Sequence, residues 1–379
     1  MVHSRVAEKM WLFTACLTVA LTATGCDGER DGDGDTAPVA VLALPLEVAE
    51  PSDNPSSPAK VELGRLLFWD PVLSGDRTTA CATCHHPDFG YADGRALSVG
   101  VGGAGLGPGR RPSGPPHVTN RNAPTVLNTA FNGLTWGGTT EPTAAPMFWD
   151  SRAKSLERQA RGPLVALHEM RGPGLDEAQV FPELVSRLQQ IPEYVTRFQA
   201  SFGDEPISEQ SILRAIAAFE RTLVSRGSSY DRYQRGEAGA LSASAQRGIA
   251  AFNRSGCDHC HSGPMFSDYA LHRLGAPDVP GAAADQGGGG RAFRTPSLRN
   301  VTRTAPYMHS GAFATLDQVF NFYDRVDRRL DPQLNDVRGP DRGDAADVKA
   351  LLAALSDGTF DQRVPTEVPS GLPPGGALR

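Results

Sequence analysis

Two pentapeptides constrain this chain more than anything else in it: Cys81-Ala82-Thr83-Cys84-His85 and Cys257-Asp258-His259-Cys260-His261. Each reads C-x-x-C-H, in which two thiols add across porphyrin vinyl groups and the adjoining histidine becomes an axial ligand to iron. A redox cysteine pair or half a zinc site also uses C-x-x-C, but neither requires histidine directly after the second cysteine. Two copies point to two covalently bound haem c groups, and the fold must enclose both. The chain has six cysteines, of which the motifs take four. Cys16 and Cys26 lie near the start, so no pair is left for a structural disulfide, although an oxidising compartment would permit one.

That compartment is expected from the first residues. Residues 1–26 read as an export leader: His3, Arg5 and Lys9 precede an apolar stretch at 10–21, too short to cross a bilayer as a mature helix. Ala23-Thr24-Gly25 before Cys26 is similar to a bacterial lipoprotein processing site, with Ala23 where such sites usually carry Leu; ordinary cleavage nearby is the alternative. The expectation is a periplasmic protein whose only membrane attachment is a lipid on Cys26. Residues 27–58, rich in Asp, Pro and Ser, read as a flexible tether, and 366–379 as a Pro/Gly tail. The remaining stretch, about 310 residues, suits two domains. The formal net charge is −6 and there is no basic run, which argues against nucleic acid or an anionic lipid surface as partner.

A repeat supports two domains. Residues 60–70 contain Gly64-x-x-x-Phe68 before the first motif, and residues 241–254 contain Gly248-x-x-x-Phe252 before the second. Glycine one turn ahead of an aromatic lets another helix approach closely while the ring packs against it. The residues around 181–202 and 207–224 also carry apolar positions three and four apart, and alternating strands are absent. The fold class is therefore mainly α, with two tandem cytochrome c-like domains, at 59–238 and 239–365, each holding one haem. Two Gly/Pro-rich loops, 100–118 and 275–291, are long enough to be mobile or functional.

Five further motifs go beyond an electron carrier: Leu63-Gly64-Arg65-Leu66-Leu67-Phe68, Arg121-Asn122-Ala123-Pro124-Thr125, Phe148-Trp149-Asp150-x-Arg152, Leu298-Arg299-Asn300-Val301, and Thr304-Ala305-Pro306-Tyr307-Met308-His309-x-Gly311. Across residues 59–365 the chain resembles the bacterial dihaem cytochrome c peroxidases and MauG. The resemblance implies that Glu169, twenty residues after Trp149, is the acid/base group of the peroxide site, with Gln159 and Pro163 in the same pocket. Local sequence alone leaves Glu169 open as an ordinary surface helix charge and His168 as a bystander. Val101 stands where many relatives place a ligating histidine, which implies an open, five-coordinate haem at His85; His117 is the only nearby substitute ligand.

For the second haem, Thr315-Leu316-Asp317-Gln318 is a capping box, so a helix should begin there with Leu316, Val319, Phe320 and Tyr323 on its apolar face. Tyr323 stands fourteen residues after His309, where MauG has its tyrosine ligand and other relatives a methionine. A phenolate favours the oxidised iron and a thioether the reduced. Met265 and Met308 are the alternative ligands, and His309 is expected near the haem rather than on iron. By resemblance Trp149 lies between the haems as an electron relay, although a core tryptophan would read the same locally. Asn122, Thr304 and Pro306 match a calcium site between the haems, made of one side-chain oxygen and two backbone carbonyls. One departure concerns the exit route: Ser255 stands where MauG carries a surface tryptophan.

The resemblance thus implies a peroxidase with hydrogen peroxide as acceptor, using a small cytochrome c or cupredoxin as donor, or an oxidisable protein or organic substrate. The competing reading is a non-catalytic dihaem electron-transfer cytochrome or redox sensor, with both irons six-coordinate.

Overall fold

Ser57 opens the first helix, its hydroxyl accepting from the Lys60 backbone, and Pro58 supplies the preset φ of a first helical residue. This is α1, Pro58–Trp69 in the computed structural model, which describes residues 43–113, 117–136 and 139–378. The leader, the Cys26 lipid site and the first part of the expected tether lie outside the described residues. The following helices are α2 (Cys81–Cys84), α3 (Leu156–Val165), α4 (Val180–Gln189), α5 (Pro192–Phe202) and α6 (Glu209–Glu220). After them come α7 (Ser229–Gln234), α8 (Ala243–Arg254), α9 (Leu316–Tyr323) and α10 (Ala345–Ala354). The stretch 181–202, continuous in its periodicity, divides into α4 and α5, with Pro192 in the first turn of α5. Sheet structure among the described residues is limited to three antiparallel ladders two residues long. The protein is mainly α.

Both glycines do what their spacing predicts. A Cβ on Gly64 would run into the Ala215 carbonyl on α6, and one on Gly248 would meet the Asp347 carbonyl in the first turn of α10. The two glycines sit at the two most extensive helix pairings among the described residues, α1 on α6 and α8 on α10. Behind them lie two apolar cores. The first gathers Leu63, Leu67 and Phe68 of α1 with Leu184, Phe198, Ile216 and Phe219. The second gathers Tyr230, Phe252, Phe266, Leu351 and Leu355. Burying each of the larger side chains contributes about 1.5–3 kcal/mol.

The segmentation differs from expectation in three places. Tyr230 on α7 packs in the second core although it precedes the expected boundary at 238. The described end of the expected tether is packed against the fold: Leu44 is 1% exposed, and its N–H donates to Asp231 Oδ1 at 2.9 Å. The tail at 366–379 is no tail. Phe360 and Val368 join the first core, Ser370 Oγ donates to Asp70 Oδ1 at 2.7 Å, and Gly375 N donates to the Trp69 carbonyl at 2.7 Å. Composition misled because Pro/Gly backbone can be satisfied by distant partners as well as by water. Residues 41–379 accordingly form one compact unit. No described helix is long and apolar enough to cross a membrane.

Candidate functional site

The single turn α2 sets Cys81 and Cys84 on one wall of a cavity of about 550 Å³, with His85 at its end. Thr83 anchors this turn: its hydroxyl accepts from Ala80 N at 2.8 Å and donates to the Gly375 carbonyl at 2.7 Å. The returning C-terminal segment therefore helps hold the first motif. His85 Nδ1 donates to the Tyr91 carbonyl at 3.1 Å, which fixes the tautomer and leaves Nε2 free as a ligand. Burial lowers the His85 pKa from its ordinary value, favouring the neutral, ligating imidazole. Trp149, Gln159, Pro163, His168 and Glu169 line the same cavity.

Glu169 sits on a π-helical turn, Leu167–Arg171, whose carbonyl at Glu169 accepts from Val101 N at 2.9 Å. Burial raises its carboxyl above the usual range, with Arg152 pulling the other way. Val101 is 2% exposed and packs beside Gly172. His117 lies against His168, ring centroids 5.7 Å apart, and is not among the residues lining the cavity.

A second cavity of about 220 Å³ is lined by Cys257, Cys260, His261, Met265, Met308, His309 and Tyr323. The His85 arrangement recurs: His261 Nδ1 donates to the Phe266 carbonyl at 3.0 Å. The Thr315 hydroxyl caps α9, and Gln318 reciprocates by accepting from Thr315 N at 3.2 Å. That helix delivers Tyr323 to the cavity, where burial, then the nearby cysteines, raise its phenol pKa. Met265 is buried in a satellite cluster with Leu44 and Phe131. His309 is occupied elsewhere, stacked on Phe293 at 3.8 Å and hydrogen-bonded through Nε2 to Asp278 at 3.0 Å. Trp149 borders both cavities, its indole donating to the Asn122 carbonyl at 2.9 Å.

The sequence profile of the di-haem cytochrome c peroxidases matches residues 58–239. The methylamine utilization protein MauG of Methylorubrum extorquens is 35% identical over 331 residues, covering 83% of each chain. Cytochrome c551 peroxidase of Pseudomonas aeruginosa is 35% identical, covering 86% of this chain and 87% of its own. A solved MauG-like protein associated with microbial copper homeostasis superposes with a TM-score of 0.68 at 31% identity, covering 83% of this chain and 95% of that one. This chain belongs to the dihaem cytochrome c peroxidase family.

As a dihaem peroxidase family member, the chain should hold two haem c groups, and its residues fit them. All four motif cysteines are free and border the cavities, beside a histidine with one ring nitrogen already engaged. Burial pushes the Cys84 and Cys257 thiols up to about 12, so an uncharged thioether suits these walls better than a thiolate. Asn122, Thr304 and Pro306 line the second cavity together; Asn122 Nδ2 donates to the Arg95 carbonyl at 2.7 Å, which orients Oδ1.

Three side chains escaped sequence reasoning, the last of them in a loop already singled out as mobile or functional. Glu220, 5% exposed, lines the first cavity; its signal is that it follows Ile212 and Ile216 at intervals of four on an apolar helix face. His272 borders the second cavity between Asp268, four residues before it (2.8 Å), and Asp331 (3.1 Å), and only the second contact joins distant segments with no local signature. The Gly/Pro-rich loop at 275–291 borders the first cavity through Asp285, which binds Arg121 at 2.5 Å and 2.9 Å.

Proposed function

We propose that this family member is a periplasm-facing peroxidase with two tandem cytochrome c-like domains, reducing hydrogen peroxide in the first cavity with electrons passed through the second. The reading is carried by Glu169, a half-buried carboxyl whose pKa is raised by desolvation in the cavity that His85 also lines. When bound, the two haems supply redox iron for the overall conversion of hydrogen peroxide, two electrons and two protons to two water molecules.

Glu169 takes a proton from one peroxide oxygen and returns it to the other, which its raised pKa suits because each form must be reachable near neutrality. Gln159, on α3, offers an amide to orient the bound peroxide. Val101 supplies no ligating atom at the position where relatives carry a histidine, which keeps the first site open. Trp149 borders both cavities and relays the electrons across. Tyr323 ligates at the second site, and Asn122, Thr304 and Pro306 hold calcium between the two. The donor is a small cytochrome c or cupredoxin, and Cys26 carries the lipid.

Tyr323 also favours a second reading, in which the reductant is an oxidisable protein or organic molecule, because a phenolate stabilises oxidised iron. The route to such a substrate would differ from a surface tryptophan at 255: Ser255 is 3% exposed and its hydroxyl is spent on the Ala251 carbonyl at 2.9 Å. A steady-state assay with peroxide and a reduced small cytochrome, begun on the resting enzyme, tests the proposal. Turnover without prior reduction supports it. Two six-coordinate haems that ignore stoichiometric peroxide would establish the electron carrier or sensor instead.

A further inference from the structure

Glu220 ends α6 with its carboxyl in the wall of the first cavity. Its Oε2 is buried and has no hydrogen-bond partner among the described residues. A buried polar atom left unpaired is costly, and such groups persist where chemistry rather than stability requires them. The charged neighbours that might neutralise Glu220 bind other groups and none pairs with its Oε2, although Arg221 and Arg65 each keep one buried Nη1 unpaired. Arg221, next in sequence, binds Glu157 of α3 at 2.7 Å through Nη2, and Glu157 also accepts from Asn54 at 2.8 Å. On α1, Arg65 holds Glu62 and Asp361, while Lys60 holds Asn54 and the Pro55 carbonyl. Across the cavity Glu169 is another acid, and on α2 Cys81 becomes an uncharged thioether.

We propose that Glu220 is the redox-linked proton site of the first cavity: it binds a proton when the haem on His85 is reduced and releases it when that haem is oxidised. The proposal rests on the haem assignment at Cys81, Cys84 and His85 made above. Reduction brings one electron from an external reductant to ferric haem, giving ferrous haem. One solution proton forms the O–H bond of Glu220, and no other bond changes. The physical reason is that no cation is hydrogen-bonded to Glu220 Oε2, so its charge responds to the charge of the cavity. Ferric haem carries one positive charge more than ferrous haem, and inside a protein-walled cavity that charge is weakly screened. It favours the Glu220 carboxylate, and by reciprocity the carboxylate favours ferric haem. Burial, opposed by Arg221 and aided by Glu157, pushes the Glu220 pKa up to about 8, so the linkage falls near physiological pH. Electrons entering this cavity would then arrive with a proton, as peroxide reduction consumes both. Glu169 shuttles a proton within a turnover; Glu220 stores one between turnovers.

The test is a spectropotentiometric titration of the full holoprotein from mildly acid to alkaline pH, following the two haems separately. The His85 haem potential is expected to fall with rising pH in the range below about 8, the value to which burial pushes Glu220, at up to 59 mV per tenfold drop in proton concentration, and to level off above it, where Glu220 is ionised beside either form of the haem. Glu220→Gln should flatten that dependence, and Glu220→Asp should keep it. The His261 haem should be unchanged in each variant, which serves as the internal check on folding. A slope retained in Glu220→Gln, or lost in Glu169→Gln instead, overturns the proposal. A chain carrying haem only at Cys257 and Cys260 would overturn the underlying haem assignment, and is recognised separately by its haem content.

Discussion

The Trp149 indole donates to the Asn122 backbone carbonyl at 2.9 Å, and both residues border both cavities. The hydrogen bond fixes the ring in the wall that the two cavities share. Trp149→Phe keeps an apolar ring there but removes the donor and the easily oxidised indole. Both haems should remain attached while electron exchange between them slows by about tenfold, equivalent to ~1.4 kcal/mol on the barrier. Rapid-mixing absorbance after partial reduction measures it, and an unaltered rate would take Trp149 off the route.

Glu169→Gln should leave the haem content intact and slow the reaction with peroxide by about 10²–10⁴-fold, the usual contribution of a positioned acid/base. The carboxylate form accepts the first proton, so wild-type activity is lost as pH falls through the Glu169 pKa. Because burial raises that pKa, the acid limb of the pH–rate profile should lie above 4.5, the ordinary value.

Gly64→Ala places a methyl group against the Ala215 carbonyl, and Gly248→Ala one against the Asp347 carbonyl. Each should cost about 1–3 kcal/mol, as overpacking at a tight contact does. Thermal unfolding of holoprotein would show it as a lowered Tm. Wild-type stability in both variants would mean that these helix pairs can slide apart freely.

His272 is held protonated, its pKa raised to about 11 first by the hydrogen bond with Asp268 and then by the Cys260 thiol. Thioether formation removes that thiol, so the holoprotein value falls below this while the two carboxylates still keep it raised. A histidine with a raised folded pKa adds stability that is complete below its unfolded pKa and fades as pH rises through the folded one. Stability should therefore decline on the alkaline side in wild type and lose that component in His272→Ala, which also costs about 1.5–3 kcal/mol near neutrality. Denaturant titrations across pH would reveal both effects.

Tyr323 as the ligand at the second site predicts no far-red methionine-to-iron band in the oxidised protein. Tyr323→Met should create one and raise that haem's potential. Such a band in the unaltered protein would instead assign Met265 or Met308.

Much of the fold is legible because its rules are local. The Gly-x-x-x-Phe spacing announced α1 and α8 with their close partners, and the Thr315–Gln318 box announced α9. Family resemblance brought Trp149, Gln159 and Glu169 to one cavity and Tyr323 to the other, as the lining residues have it. The ends were misjudged. Residues 43–57 and 366–378 have loop-like composition, yet Leu44 is locked by Asp231 and Gly375 by Trp69, pairings that no local pattern encodes.

What the chain states in its own letters is the chemistry. C-x-x-C-H twice dictates two sites, since thiol spacing and the adjacent ligand are covalent facts within five residues. What the letters leave open is the environment of each site. Glu220 looks like any glutamate near a helix end until α1 and α3 bury it against the first cavity. His272 becomes a cation only when Asp268 and Asp331 meet around it. A pKa depends on solvent and on charges brought from distant segments, and those are assembled by packing alone.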